Sequence, residues 1–248
     1  IGTKKYDEIL LPSLTFVGTA NAIKHCGAIP HFIDSEKTTL GICLNNLENY
    51  LKKISIKKGK FIYNKITNRR IYVVIPVHVY GHIINMKKLI KIAKKYNLKV
   101  VEDAAESLGS FYLGKHSGTM GDLGVISFNA NKVITTGGGG IILTKNLNLA
   151  NQIRHLISNA KLSHPWKFVH DKVGWNYRMP NINAALGCAQ LENVKKIIKM
   201  KRDLYFKYKK IINNESCYLF KEMKNNKSNY WLHLAILKSS KVRDKILK

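Results

Sequence analysis

From residue 8 to residue 157 the chain alternates short apolar runs with amphipathic stretches of helical period, and this alternation limits its folds more than any other feature. Strands are expected at 8–11, 29–34, 71–77, 99–103, 124–128 and 140–144, the 71–77 run being strongly β-branched and carrying Pro76. Helices are expected at 19–26, 44–53, 86–96 and 147–157. A strand–helix–strand repeat of this kind predicts an α/β domain with a largely parallel sheet. Residues 52–70, rich in Lys and Asn around Phe61-Ile62-Tyr63, read as an inserted surface hairpin.

Pro180 is suited to open a helix, and Leu186, Leu191, Val194 and Ile198 recur at helical spacing behind it. One long helix to about Ile212 is predicted, long enough to bridge two domains. Strand-like pieces follow at 217–220 and 230–237, with a further helix starting near Ser240. The expected organisation is a large domain over 1–180, an interdomain helix over 181–212 and the beginning of a small C-terminal domain over 213–248.

Hydrophobic residues make up 45% of the 248 and charged residues 23%, a globular balance. No apolar run approaches the roughly 20 residues of a membrane-spanning helix, so no membrane insertion is expected. The start, Ile1-Gly2-Thr3-Lys4-Lys5, has no initiator Met and no signal-peptide core, and reads as a cut end. Cys26, Cys43, Cys188 and Cys217 form no CxxC pair, so neither a disulfide framework nor a metal site is expected. Buried thiols in a reducing cytoplasm are the simpler expectation.

The formal net charge of +27 could mark a binder of nucleic acid. The lysines, however, are spread over many helices, as in Met86-Lys87-Lys88-Leu89-Ile90-Lys91-Ile92-Ala93-Lys94-Lys95-Tyr96, where they flank a core stripe. The accompanying wealth of Asn and Ile points to an A- and T-biased genome, so no nucleic-acid partner is expected.

Three segments fall where open α/β sheets place ligands, at predicted strand ends. The first, Val100-Val101-Glu102-Asp103-Ala104-Ala105-Glu106-Ser107, ends a strand in a carboxylate that could face a crevice or cap the next helix. The second, Ser127-Phe128-Asn129-Ala130-Asn131-Lys132, runs into Thr135-Thr136-Gly137-Gly138-Gly139-Gly140. Lys132 stands alone in a stretch that is otherwise uncharged, so a desolvated amine suited to Schiff-base chemistry is one reading. A glycine-rich turn with an exposed lysine is the other. The third, Gly174-Trp175-Asn176-Tyr177-Arg178-Met179-Pro180-Asn181, sets an amide, a guanidinium and two aromatics before a helix start. It suits either phosphate recognition or a structural turn.

Taken in order, these motifs resemble the DegT/DnrJ/EryC1/StrS family of nucleotide-sugar aminotransferases. The likeness extends from Leu11-Pro12-Ser13-Leu14-Thr15-Phe16 through Pro76-Val77-His78-Val79-Tyr80-Gly81 to Ser228-Asn229-Tyr230-Trp231-Leu232. The hairpin and the Asn-Lys-Val-Ile-Thr-Thr-Gly run are most similar to the subgroup making 4-amino sugars for bacillosamine and legionaminic acid. The resemblance implies the fold type I large domain, a mixed, mainly parallel sheet with flanking helices, plus the start of a small α+β domain. It implies pyridoxal 5'-phosphate as cofactor, Lys132 as its Schiff-base lysine and proton carrier, and Asp103 as partner of its ring nitrogen. Phe16 would stack on the ring and Glu106 would sit near its hydroxyl. Ser127 would bind the phosphate with Asn176 from a neighbouring subunit, and Arg178 is a candidate for the sugar or its phosphates. Members of the family also carry a phosphate-binding helix start well upstream of the Leu11–Phe16 segment, and Ile1-Gly2-Thr3 does not lie in that place. Part of that cup, and much of the small domain, are therefore expected outside this sequence.

The implied reaction moves an amino group from glutamate to C4 of a UDP-linked 4-keto-6-deoxy (2-acetamido) sugar, for cell-surface polysaccharide or glycan sugars, in a cytoplasmic homodimer. Two alternatives remain: a same-fold sugar dehydratase, which Lys132 argues against because such enzymes carry His at that position, and an inactive remnant or basic binding module.

Overall fold

The structure is a computed structural model and describes residues 1–214 and 216–248. In chain order the elements of the first half are β1 (Glu8–Pro12), α1 (Val17–His25), β2 (Ile29–Ile33), α2 (Leu44–Ile54), β3 (Ser55–Lys58), β4 (Phe61–Asn64), β5 (Arg70–Val74), a 3-10 turn (Val79–Gly81), α3 (Met86–Tyr96), β6 (Lys99–Asp103), β7 (Phe111–Tyr112) and β8 (Lys115–His116). They continue with β9 (Leu123–Ser127), β10 (Gly140–Leu143), α4 (Leu147–Leu156), α5 (Asn181–Glu192), α6 (Val194–Ile211), β11 (Asn213–Asn214), β12 (Cys217–Leu219), β13 (Asn226–Lys227), β14 (Ala235–Leu237) and α7 (Ser240–Ile246).

The main path of the sheet runs β10-β9-β6-β5-β1-β2, and along that path every pair is parallel except β10, which folds back antiparallel on β9. β1 explains the layering. Leu10 packs with Leu47, Leu51 and Leu89 from α2 and α3, while Ile9 and Leu11 point the other way and pack with Ile23 of α1. Because successive strand residues face opposite sides, a strand buried along its whole length must be covered by helices on both. Met86, Leu89, Ile92 and Ala93 bury one side of α3, whose ends are set by the Asn85 side chain accepting from the Lys88 amide (3.0 Å) and by Asn97 in the left-handed conformation. The lysines between them lie on the outer side, as the spacing predicts.

The expected mainly parallel α/β architecture is present, with four local departures. The β5 ladder stops at Val74, short of the predicted 71–77 run, because Pro76 has no N–H to donate; its carbonyl still accepts from the Asp103 amide at 2.9 Å. The hairpin of β3 and β4 is real but belongs to the main sheet, with β4 antiparallel to β5 and Ile62 in the core. The single long helix is two, α5 and α6, broken at Asn193, whose side chain takes the Ala189 carbonyl (3.1 Å) in competition with the backbone. Residues 230–237 are strand only at Ala235–Leu237, since Tyr230 turns the chain with φ 48°.

Cys26 and Cys188 are exposed and Cys43 and Cys217 half-buried, so the expected buried thiols are not found. Cys26 caps α1 at the surface, and the face of α5 bearing Cys188 is open. No disulfide joins any two cysteines, and no metal-binding cluster occurs, among the described residues. No helix among them is long and apolar enough to cross a membrane.

Candidate active site

The site gathers at the carboxyl ends of β6 and β9, where register sets Asp103 opposite Val125. Asp103 ends its strand with both carboxylate oxygens engaged. Thr19, near the start of α1, donates to one at 2.6 Å, and the Ala105 amide donates to the other at 3.2 Å. Thr15 lies 2.8 Å from the Thr19 hydroxyl and extends the chain. Carboxylate oxygens accept more than one hydrogen bond each, so Asp103 retains capacity for a further donor.

The preceding residue faces the opposite way. Glu102 is fully buried with His78, their side chains 3.0 Å apart. The Glu102 carboxylate also accepts the amides of Gly118, Met120 and Gly121 at 2.9, 2.6 and 2.6 Å. Burial pushes this carboxyl up, but the hydrogen bond and charge of His78, with the Gly121 and Gly118 amides, outweigh it and hold Glu102 below the ordinary carboxylate range. A buried charge so fully satisfied braces β6, and the His78 backbone amide donates to the Asp103 carbonyl at 3.0 Å.

Lys132 occupies a turn after β9, its amide donating to the Asn129 carbonyl at 3.0 Å. Its ammonium lies 3.7 Å from the Glu106 carboxylate, each side chain only 14% exposed, and 4.2 Å from the centre of the Trp231 ring. Glu106 is fixed by its other oxygen, which accepts the Tyr80 amide at 2.7 Å. Tyr80 sits in the left-handed region (φ 55°) within the 3-10 turn, and that conformation aims its N–H. Burial raises the Glu106 carboxyl above its ordinary range; the Tyr80 amide and Lys132 oppose this, while the Asp103 charge adds to it.

Phe16 is 75% exposed at the N-terminal cap of α1, three residues before the Thr19 that reaches Asp103. Ser127 ends β9, and its hydroxyl accepts the Asn129 amide at 3.2 Å. The glycine run turns the chain back into β10. Gly139 has φ +131°, and a side chain there would meet the Met179 methyl at 2.9 Å. Lys132, Asp103, Glu106, Phe16 and Ser127 therefore belong to one end of the sheet.

The other two expected residues lie apart. Asn176 is exposed, its backbone bridged to Ser158, and its side chain makes no hydrogen bond among the described residues. Arg178 lines an open depression of about 1000 Å³ with Gly138, Gly139, Ile141, Ile153 and Met179.

Sequence reasoning missed Thr19, His78, Glu102, Tyr80 and Trp231. Glu102 gave one signal, a carboxylate inside an apolar strand. The others depend on pairings over long separations, such as the 84 positions between Thr19 and Asp103.

The fold is that of fold type I pyridoxal phosphate-dependent aminotransferases. The aminotransferase TlmJ from Streptoalloteichus hindustanus superposes with a TM-score of 0.86 at 26% identity, over 99% of this chain and 63% of that one. Residues 1–248 match the DegT/DnrJ/EryC1/StrS aminotransferase family, and the chain belongs to it. It is 37% identical over 246 residues to a GDP-perosamine synthase of Escherichia coli O157:H7, covering 99% of this chain and 63% of the relative. It is 36% identical over 230 residues to EpsN of Bacillus subtilis, described as a candidate pyridoxal phosphate-dependent aminotransferase, covering 92% of this chain and 56% of the relative. The chain thus spans roughly three-fifths of the length of these curated relatives.

Proposed function

We propose that this chain forms the cofactor-binding core of an enzyme that transfers an amino group from glutamate to C4 of a nucleotide-linked 4-keto-6-deoxy sugar, for cell-surface polysaccharide or glycan sugars. The observation that carries this reading is a shielded primary amine, Lys132, beside the Glu106 carboxylate at 3.7 Å, at the same sheet end as the Asp103 carboxylate.

These residues fit pyridoxal 5'-phosphate by their chemistry: an amine for its aldehyde, a hydrogen-bonded carboxylate with spare capacity, and an exposed aromatic ring at the start of the helix whose Thr19 reaches that carboxylate. When bound, the cofactor supplies an electron sink for the bonds at the amino-bearing carbon. Lys132 Nζ would hold the cofactor and would be the base that moves the proton at the donor carbon. Asp103 would keep a proton on the ring nitrogen, its carboxylate aimed by the hydrogen bonds from the Thr19 hydroxyl and the Ala105 amide. Phe16 would cover one face of the ring, and Glu106 would lie toward its hydroxyl. Ser127 would contribute to the phosphate site, joined by Asn176 of a second copy. Arg178 is assigned to the substrate's phosphates or sugar. Residues 1–180 would form the large domain and 213–248 the start of the small one.

A two-fold dimer is supported by the exposed apolar side chains grouped on one stretch of chain, among them Trp166, Phe168, Val173, Tyr177 and Ile182. Nucleotide sugars and glutamate are metabolites of the cytoplasm, and we place the reaction there.

The nucleotide separates two versions of this reading. Likeness to the bacillosamine and legionaminic acid subgroup favours a UDP-linked 2-acetamido sugar, whereas the relative named GDP-perosamine synthase favours a GDP-linked one. The test incubates purified protein with pyridoxal phosphate, glutamate and each 4-keto-6-deoxy sugar, and follows 2-oxoglutarate and the amino sugar by mass. Stoichiometric formation of both products supports amino transfer and selects the nucleotide. Loss of water from the sugar with no amino sugar formed would support the dehydratase alternative.

A further inference from the structure

We propose that Trp231 is a positioning residue for Lys132: its indole face receives the lysine's ammonium whenever the amine is not bonded to cofactor. The proposal rests on the reading that Lys132 carries the cofactor. The ammonium lies 4.2 Å from the ring centre, within the range at which indole, the strongest of the aromatic faces, attracts a cation.

The ring is locked in that place from three sides. Its Nε1–H donates to the carbonyl of Asn131, the residue immediately before Lys132, at 2.8 Å. Its backbone amide donates to the Asn229 side chain at 2.8 Å. Tyr80 stacks on it with centroids 6.3 Å apart, and only 8% of the residue is exposed.

Asn229 in turn donates to the carbonyls of Glu106 and Leu108, both at 2.9 Å, and its own amide donates to the Ser110 hydroxyl at 2.9 Å. The strap bearing Trp231 is thus stapled to the loop bearing Glu106. It is held from behind by Arg202, which donates to the Ser228 carbonyl and pairs with Glu222 at 2.8 Å. Tyr230 supports it as well, stacked on Tyr205 with centroids 3.9 Å apart.

An indole face suits this role better than a second carboxylate would. It attracts the ammonium but cannot take its proton, so Nζ stays able to exchange protons with a substrate carbon. Glu106, meanwhile, remains beyond hydrogen-bonding distance because the Tyr80 amide holds its other oxygen.

The test compares Trp231→Phe and Trp231→Leu with the parent in three measurements. First, borohydride reduction after adding pyridoxal phosphate, with peptide mapping, asks which lysine holds the cofactor. Second, in cofactor-free protein an amine-reactive reagent is followed at Lys132 by mass spectrometry. Third, the single-turnover rate with glutamate is taken at saturation, with kcat and KM separated.

Without the indole face Lys132 Nζ is neither held nor covered on that side, so Trp231→Leu should label Lys132 several-fold faster. It should also lower the single-turnover rate by about tenfold, with KM for glutamate within about twofold. Trp231→Phe, which keeps a weaker aromatic face, should fall between the two in both respects. Unchanged labelling and turnover in Trp231→Leu, with trapping still on Lys132, would overturn the proposal. So would equal losses in the Phe and Leu variants, which would mark a purely structural contact. Trapping on a different lysine would instead overturn the cofactor reading beneath it. If the Leu variant does not fold, the Phe variant decides: labelling of Lys132 faster than in the parent supports the proposal and the parent's rate refutes it.

Discussion

Thr19 donates a 2.6 Å hydrogen bond to Asp103 from 84 positions away in sequence, tying the start of α1 to the end of β6. The hydroxyl is nearly buried, so the contact aims the carboxylate and satisfies one of its oxygens away from bulk water. Hydrogen bonds to charged groups are worth about 1.5–3 kcal/mol. Thr19→Val keeps the shape and removes the donor, so chemical denaturation should show a loss of that size, with Thr19→Ser restoring most of it. A Val variant as stable as the parent would remove this contact from the account.

Asp103→Asn should reduce turnover far more than cofactor affinity. The amide fills the space but cannot hold a proton on the ring nitrogen. About 3–4 kcal/mol of transition-state stabilisation is the scale for one such electrostatic element. Spectroscopic titration with pyridoxal phosphate and a steady-state assay separate the two quantities. Full occupancy with unchanged kcat would contradict the role.

Glu106 gives a pH signature whose sign follows from burial. Its carboxyl in the folded chain is raised above the ordinary 4.5, so the native state binds its proton more tightly than the unfolded chain does. Stability from this group is complete below about 4.5 and is lost as pH rises through the raised folded value. Glu106→Gln, a neutral isostere, should therefore melt above the parent at pH 7 in cofactor-free protein, and the difference should vanish near pH 4. A difference that persists or grows on acidification would contradict the assignment.

Much of the scaffold was legible because its signals are local. The doubly buried β1, the amphipathic α3 and the strand ending in Asp103 each declare themselves within a few residues. The break at Asn193 was hidden because helical spacing of apolar residues continues across it, and only a side-chain-to-carbonyl bond interrupts the helix. For the site, Lys132 was visible as the isolated charge before four glycines. Trp231 was not, because its bond to Asn131 spans 100 positions and its segment reads as strand. Residue pairs set by topology leave no period in the sequence to find.

The dimer reading predicts complementation between two damaged proteins. Lys132→Ala and Asn176→Ala homodimers should each be poor catalysts. After random re-association half the dimers are mixed, and each mixed dimer has one doubly damaged and one intact site if Asn176 serves its neighbour's site. Recovery should reach roughly a quarter of wild-type activity per total site. No recovery, with subunit exchange confirmed independently, would place both residues in the same chain's site.

Reductive trapping shows directly whether Lys132 is the lysine that holds the cofactor. Protein incubated with pyridoxal phosphate is reduced with borohydride, digested and mapped by mass spectrometry. One dominant pyridoxyl group is expected, on Lys132, with Lys132→Ala losing both this adduct and the visible band of the bound cofactor. A dominant adduct on another lysine, or a band that survives the Lys132→Ala substitution, would contradict it.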